Sequence, residues 1–334
     1  MKVSVCIPVY GVEKYIERCA RSLFEQTMKD DIEFIFVDDC TPDKSIEILK
    51  KVLSEYPERA SQVKIIRHEV NKGLTGARNT ALQHASGEYI IHCDSDDWVD
   101  KNLYEVMYGS AVKTQAEAVA CAIKIEYTDK KNKIVSFRGK TVGELFSKDF
   151  NSCIFNSTVN KMYCRRIALD PEIESPEHIT MAEDLLRTTQ MLLKCTNLVI
   201  CDNVYYHYFC GNPGSSTMNF SRKSFDSARE AIQILQEQLQ KTYPDLALAL
   251  QGQVLFSALR IEEISKQEYR KLAETVNCRR VIFNHGLPLI KRLIISVSFV
   301  SVTLAKMLCK TLLYIANGDW FHEMRFFYYV HICQ

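Results

Sequence analysis

The chain has 334 residues, 47% of them hydrophobic and 25% charged, with a formal net charge of +1. That composition supports a sizeable buried core, and at about 100–200 residues per domain the length suggests two domains or one with a long appendage. The near-balance of charge excludes a global field that would draw nucleic acid or an acidic partner, so any electrostatic message is local. VSVCIPVY is a short β-rich run, and VEKYIERCARSLFEQ places Val12, Tyr15, Ile16, Cys19, Ala20 and Leu23 on one helical stripe. IEFIFVDD is a second strand, apolar and then abruptly acidic. TPDKSIEILKKVLSEY opens with Pro42 and Asp43 and carries Ile46, Leu49, Val52 and Leu53 at helical spacing. VKIIRHE is a third strand, TGARNTALQHA a short helix ended by Ser86-Gly87, and EYIIHCD a fourth strand. This βαβαβαβ order predicts a largely parallel sheet covered by helices.

Beyond residue 102 the pattern loosens. AEAVACAIKIEY is a strand candidate, DKKN at 129–132 a turn, NKMYCRRIAL at 160–169 a strand or strand edge, MAEDLLRTTQMLLKC a helix, NLVICDNVYYHYF a strand and CGNPGSST a loop. After about residue 220 only helical patterns remain, including SFDSAREAIQILQEQLQ and QGQVLFSALRIEEIS. Leu293 to Ala305 is free of charge but too short for a membrane span of about 20 residues. Lys291, Arg292, Lys306 and Lys310 flank it, and Trp320, Phe321, Phe326, Phe327, Tyr328 and Tyr329 follow. The segment 286–330 therefore reads either as an interfacial membrane helix or as a buried helix of an accessory bundle. The thirteen cysteines, odd in number and without a C-x-x-C pair, read as reduced thiols packed as small hydrophobes. The N-terminal MKVSVCIPVYG lacks a signal-peptide pattern, so a cytoplasmic location is expected.

Ligands of open parallel sheets bind at the carboxyl ends of the strands. Three such ends are chemically loaded here: Pro8-Val9-Tyr10, Asp38-Asp39, and Asp94-Ser95-Asp96-Asp97. Asp97 suits the N-cap of the helix that follows. Asp94 and Asp96 suit a divalent cation, because magnesium and manganese take one or two carboxylates together with phosphate oxygens. The loop lacks the glycine and glutamate of an EF-hand. A phosphatase using Asp94 as nucleophile is a rival, since D-x-D after an apolar strand also serves that chemistry. Asp39 can accept a hydrogen bond from a base or a ribose.

The segments VSVCIPVYGVEKYIERCARSLFEQT, FIFVDDCTPD, NKGLTGARNTAL, GEYIIHCDSDDWV and MAEDLL stand in the order and at the spacing of the family 2 glycosyltransferases, which the chain resembles over roughly residues 1–215. The resemblance implies a GT-A fold, a Rossmann-like nucleotide-sugar-binding domain with a mixed, mostly parallel sheet. It also implies transfer of a sugar from a nucleotide-sugar, most commonly UDP-linked, with inversion at the anomeric carbon and with Mg²⁺ or Mn²⁺. By the same resemblance Pro8 and Tyr10 pack around the nucleobase, and Asp39 recognises uracil. Arg78, with Asn79, lies near the nucleotide. Asp94, Ser95 and Asp96 grip the donor, with Asp94 and Asp96 as metal ligands. Asp184, beside Glu183, is the general base. Lys161 matches a segment common in bacterial members that build surface polysaccharides.

One departure is that relatives often carry an arginine after the last strand, whereas YYHYFCGNPGSST has none; either His207 or Arg222 replaces it or nothing does, and His207 reads equally as a packed strand residue. The expected organisation is a GT-A domain over residues 1–218 and a helical region over 219–334. The expected acceptor is a surface glycan or lipid-linked saccharide, with peripheral membrane contact through 286–330. A non-catalytic nucleotide- or glycan-binding protein is the further alternative.

Overall fold

The computed structural model describes residues 1–128, 130–212, 221–276, 278–284 and 287–316. The chain divides into two compact units. The first comprises residues 1–150, 157–178 and 187–215, and the second 151–156, 179–186 and 216 onward.

The first unit is built on a single sheet whose described strands are β1 (Val3–Val9), β2 (Ile32–Asp38), β3 (Val63–Arg67), β4 (Tyr89–His92), β5 (Trp98–Val99), β6 (Ala118–Glu126), β7 (Lys133–Val135), β8 (Lys161–Cys164) and β9 (Leu198–Phe209). Their order is β3-β2-β1-β4-β8-β6-β9-β5, with β7 paired to β6. The first four strands are mutually parallel, β8 runs antiparallel to β4 and β6, and β9 runs parallel to β6. Every residue of β1 and β2 is buried, as expected of strands covered on both faces. Helix α1 (Ile16–Phe24) buries Ile16, Cys19, Ala20, Leu23 and Phe24, a stripe at helical spacing. Phe24 meets Phe34 and Phe36 edge-on at 5.8 and 6.2 Å between ring centroids. Helices α2 (Ser45–Ser54), α3 (Gly73–His84) and α4 (Leu103–Thr114) complete the cover.

The register aligns the carboxyl ends of the parallel strands. Val9 pairs with Asp38, Asp38 with Arg67, and Cys6 with His92. Three acidic or turn-forming segments therefore leave the sheet along one edge. A separate polar anchor lies within the sheet. Glu33 is buried and accepts from Ser4 Oγ (2.6 Å) and from Ser86 N and Oγ (2.6 and 2.8 Å), and it pairs with Lys64 (2.7 Å). Burial pushes its carboxyl up, but the lysine and these donors outweigh burial and leave its pKa at about 2. Gly87 is required beside this anchor, because a Cβ there would meet Ser4 N at 2.6 Å.

Two expectations are corrected here. NKMYCRRIAL is a strand only to Cys164, and Arg165–Ala168 turns into a short helix. Asp97 does not cap a helix: the two-residue strand β5 follows it, and α4 begins after Asn102 without a side-chain cap. The turn expected at 129–132 and the loop expected after β9 lie partly outside the described residues.

The second unit is helical where described: α5 (Glu183–Leu193) starts in it, followed by α6 (Arg222–Thr242), α7 (Pro244–Arg260), α8 (Lys266–Glu274), α9 (Cys278–Phe283), α10 (Leu289–Val300) and α11 (Val302–Ala316). Ser221 and Ser265 N-cap α6 and α8 through their hydroxyls. Its core includes Phe225, Leu255, Phe256, Leu259, Ile295, Val302 and Ala305. The charge-free run from Leu293 is not one helix: Ser301 is extended (φ −148°, ψ 107°) and separates α10 from α11. Each of these helices buries one side and exposes another that is largely apolar, with Leu289, Ile290, Leu293, Val300, Leu304 and Met307 open to solvent. Among the described residues no helix is long and apolar enough to cross a membrane. Every cysteine whose side chain is described is a free thiol.

Candidate active site

Pro8 is tolerated inside β1 for a specific reason. The Cys6 carbonyl accepts from Cys93 N, so Pro8, two residues on, presents its nitrogen to the same side. The β4 pairing has ended there at Cys6–His92, and the missing N–H breaks no ladder bond. Tyr10 follows and is half exposed, at 53%. Gly11 then turns at φ +67° and donates its N–H to Thr41 Oγ1 (2.9 Å), tying the first strand end to the second.

At the end of β2, Asp38 accepts from Thr41 N (2.9 Å). Asp39 is buried and heavily engaged. Its Oδ1 accepts from Lys72 N (2.8 Å) and contacts His68 Nδ1 (2.7 Å), and its Oδ2 accepts from Gly73 N (2.8 Å). Gly73 adopts φ +76°, a left-handed conformation that aims its N–H at the carboxylate at no side-chain cost. Asp39 thus fixes the loop that opens α3, the helix carrying Arg78 and Asn79.

The third strand end is the acidic turn. Asp97 N donates to Asp94 O (3.1 Å), closing it, and Tyr206 Oη holds Asp94 N (3.0 Å). Asp94 is paired with buried Arg78 (2.9 Å) and keeps its side chain 26% exposed. Asp96 Oδ2 accepts from Asn212 Nδ2 (2.7 Å). Burial, and then the Asp94 charge, push the Asp96 carboxyl above its ordinary value. Asp97 is fully enclosed, accepting from Tyr206 Oη and Phe209 N at 2.7 Å each. Burial, and then its acidic neighbours Asp96 and Asp94, push it far up. It anchors the turn to β9. Ser95 is buried between the two carboxylates.

Arg18 on α1 is a residue that periodicity alone conceals. Its guanidinium lies 3.7 Å from the Trp98 ring centroid and 4.4 Å from that of Phe209, and it donates to Asp96 O (3.0 Å). It is a stacked cation behind the acidic turn. On the candidates for a missing arginine, His207 is packed between Glu126 (2.7 Å) and Asp100 (2.9 Å) and stacked on Trp98. Arg222 belongs to the second unit, paired with Asp226 and Glu268. His207 thus holds together three strands, and Arg18 is a second cation beside the turn, after Arg78. Lys161 is buried on β8, donating to Ser157 O (2.6 Å) and Asn160 Oδ1 (2.9 Å).

Asp184 and Glu183 lie at the start of α5, within the second unit, and both are half-buried. The residue before them, Ala182, has φ +65°, a strained conformation for a side chain with Cβ. The segment leading to it is held by Ser227 Oγ, which accepts from Thr180 N (2.8 Å) and Met181 N (3.2 Å).

Among the described residues no group of three or more His, Cys, Asp or Glu side chains is arranged to hold a metal ion. A donor set of two carboxylates completed by ligand phosphates is nonetheless a normal one for magnesium. Asp94 and Asp96 fit such a set and would be the residues to hold the ion.

Parallel strands whose carboxyl ends carry a proline–tyrosine turn, a hydrogen-bonded carboxylate and an acidic turn define a domain of the GT-A type. Residues 4–169 match the family model described as glycosyl transferase family 2, and the chain belongs to that family. The poly(ribitol-phosphate) beta-glucosyltransferase of Bacillus spizizenii is 30% identical over 224 residues, 64% of this chain and 33% of that protein. Across three such relatives the chain spans between 33% and 43% of their length. Among solved structures, residues 1–349 of S. aureus TarS in complex with UDP-GlcNAc superpose with a TM-score of 0.66 at 21% identity, covering 94% of this chain and 92% of that one. The mannosyltransferase PcManGT from Pyrobaculum calidifontis, in complex with GDP-Man and Mn²⁺, gives a TM-score of 0.52 at 14% identity, covering 99% and 85%. These two likenesses are of fold.

Proposed function

We propose that the chain is an inverting glycosyltransferase that moves a sugar from a UDP-sugar to an acceptor hydroxyl, assisted by a divalent cation. The observation that carries this reading is the acidic turn, Asp94 paired with Arg78 and Asp96 crowded against it, at the same sheet edge as Asp39. Pro8, Tyr10 and Asp39 receive the base, and Arg78, Asp94 and Ser95 the ribose and diphosphate. Asp94 and Asp96 would hold Mg²⁺ or Mn²⁺, which would supply positive charge where the leaving diphosphate gains negative charge. Arg78 orients Asp94 through their ion pair. Asp184 takes the acceptor proton, a contribution typically worth about 10²–10⁴-fold. Its place in the first turn of α5 favours the ionised form. The phosphatase alternative loses ground to the family membership, and the complete acidic turn speaks against a purely non-catalytic binder.

Relatives named for poly(ribitol phosphate) suggest a polyol-phosphate or glycan acceptor. We place the reaction at the cytoplasmic face of a membrane, with a GT-A domain over residues 1–218 and a helical region over 219–334. The exposed apolar sides of α10 and α11 support peripheral lipid contact; the aromatic residues from Trp320 on lie outside the described residues. A panel of nucleotide-sugars, scored by cation-dependent hydrolysis and thermal stabilisation, tests the donor. Stabilisation and hydrolysis with one UDP-sugar are expected, and no response to any nucleotide-sugar contradicts the reading. Sedimentation with anionic vesicles tests the membrane, with Leu304→Glu and Met307→Glu expected to release the protein.

A further inference from the structure

We infer that His68 is a positioning residue that holds Asp39 in the orientation that reads the donor base; the inference rests on the reading of Asp39 above. His68 is the residue immediately after β3 and is 7% exposed. Its Nδ1 lies 2.7 Å from Asp39 Oδ1 and its Nε2 lies 2.8 Å from Thr80 Oγ1. Thr80 sits on α3, two residues beyond Arg78. With a neutral ring, the Thr80 hydroxyl donates to Nε2 and Nδ1–H donates to Asp39, so one relay joins three elements: α3, the end of β3 and the end of β2.

The acceptor arithmetic gives the relay its purpose. A carboxylate has about four acceptor positions. On Asp39, Oδ1 uses two, for His68 Nδ1 and Lys72 N, and Oδ2 uses one, for Gly73 N. The single remaining position is on Oδ2, and its direction is set by the three donors together, of which only His68 lies outside the 72–73 loop. Without the imidazole, Oδ1 keeps one donor, the backbone N–H of Lys72, and the carboxylate can pivot about its χ2 torsion, which is broad. An acceptor held in one direction suits an imide N–H, as in uracil, and rejects a base lacking it.

The test measures dissociation constants of UDP, N3-methyl-UDP and inorganic pyrophosphate on the full chain and its variants. Wild type should favour UDP over N3-methyl-UDP by about tenfold, the worth of one charge-assisted hydrogen bond. His68→Ala should reduce that ratio to about one or two while leaving pyrophosphate affinity unchanged. His68→Asn, whose amide nitrogen occupies the Nδ1 position, should restore most of it. His68→Gln, whose amide nitrogen reaches the Nε2 position instead, should not. If wild type does not discriminate, the reading of Asp39 fails and the inference goes with it. If wild type discriminates and folded His68→Ala keeps the full ratio, the inference alone is overturned. Should His68→Ala not fold, equal ratios in His68→Asn and His68→Gln overturn it.

Discussion

Two carboxylate sites stand at the same sheet edge and are built on opposite principles. Asp39 is satisfied: backbone N–H groups and an imidazole surround it, and one acceptor position is left. The acidic turn is loaded: Asp94, Asp96 and Asp97 crowd together; burial and then Asp94 push Asp96 toward protonation, and burial and then Asp96 and Asp94 push Asp97 the same way. A satisfied carboxylate is preorganised to read a neutral donor without moving. A loaded one stores repulsion that a cation releases. On the proposed function, the difference separates recognition of the base from stabilisation of the leaving group.

The comparison breaks most visibly at Asp96. Asp96→Asn should lower transfer by about 10²–10³-fold while the melting temperature stays level or rises, because crowding is relieved; a drop in both would make Asp96 structural. Glu33 offers a second contrast, a carboxylate as well satisfied as Asp39 with no role toward ligand. Its folded pKa of about 2 lies below the ordinary 4.5, so its contribution is complete above pH 4.5 and disappears as pH falls from there toward 2. Glu33→Gln should cost about 3 kcal/mol at neutral pH and flatten the acid limb of stability, read by denaturant titration at several pH values. Donor affinity of the folded fraction should not change. Asp39→Asn should weaken UDP binding about tenfold, measured calorimetrically, because its amide would present N–H to the donors of the 72–73 loop. The smallest effect belongs to Asp97→Asn: an amide can still accept from Phe209 N, and cation affinity should move less than about threefold. A large loss there would show that all three aspartates act as one group.

Much of this organisation is legible in the residues themselves. The parallel strands appear as apolar runs, and the loaded strand ends as abrupt acids. The rest depends on partners distant in sequence. Trp98–Val99 is a strand only because β9 pairs with it. Asp97 resembles a helix cap until Tyr206 and Phe209 claim both its oxygens. Arg18 falls off the apolar stripe of α1 and reads as a surface cation, and only Phe209 and Trp98 reveal its seat. The break at Ser301 carries no proline or glycine to announce it. His68 was hidden in a strand-end HE dipeptide, because its significance lies in Asp39 and Thr80.

The most direct measurement is calorimetric titration of UDP into the full chain with Mn²⁺ and again with excess chelator, on wild type and on Asp96→Asn. Wild type should bind saturably and at least tenfold more weakly without the cation, and binding by Asp96→Asn should no longer respond to it. Cation-independent binding of UDP by wild type, or none in either condition, would contradict the proposed function.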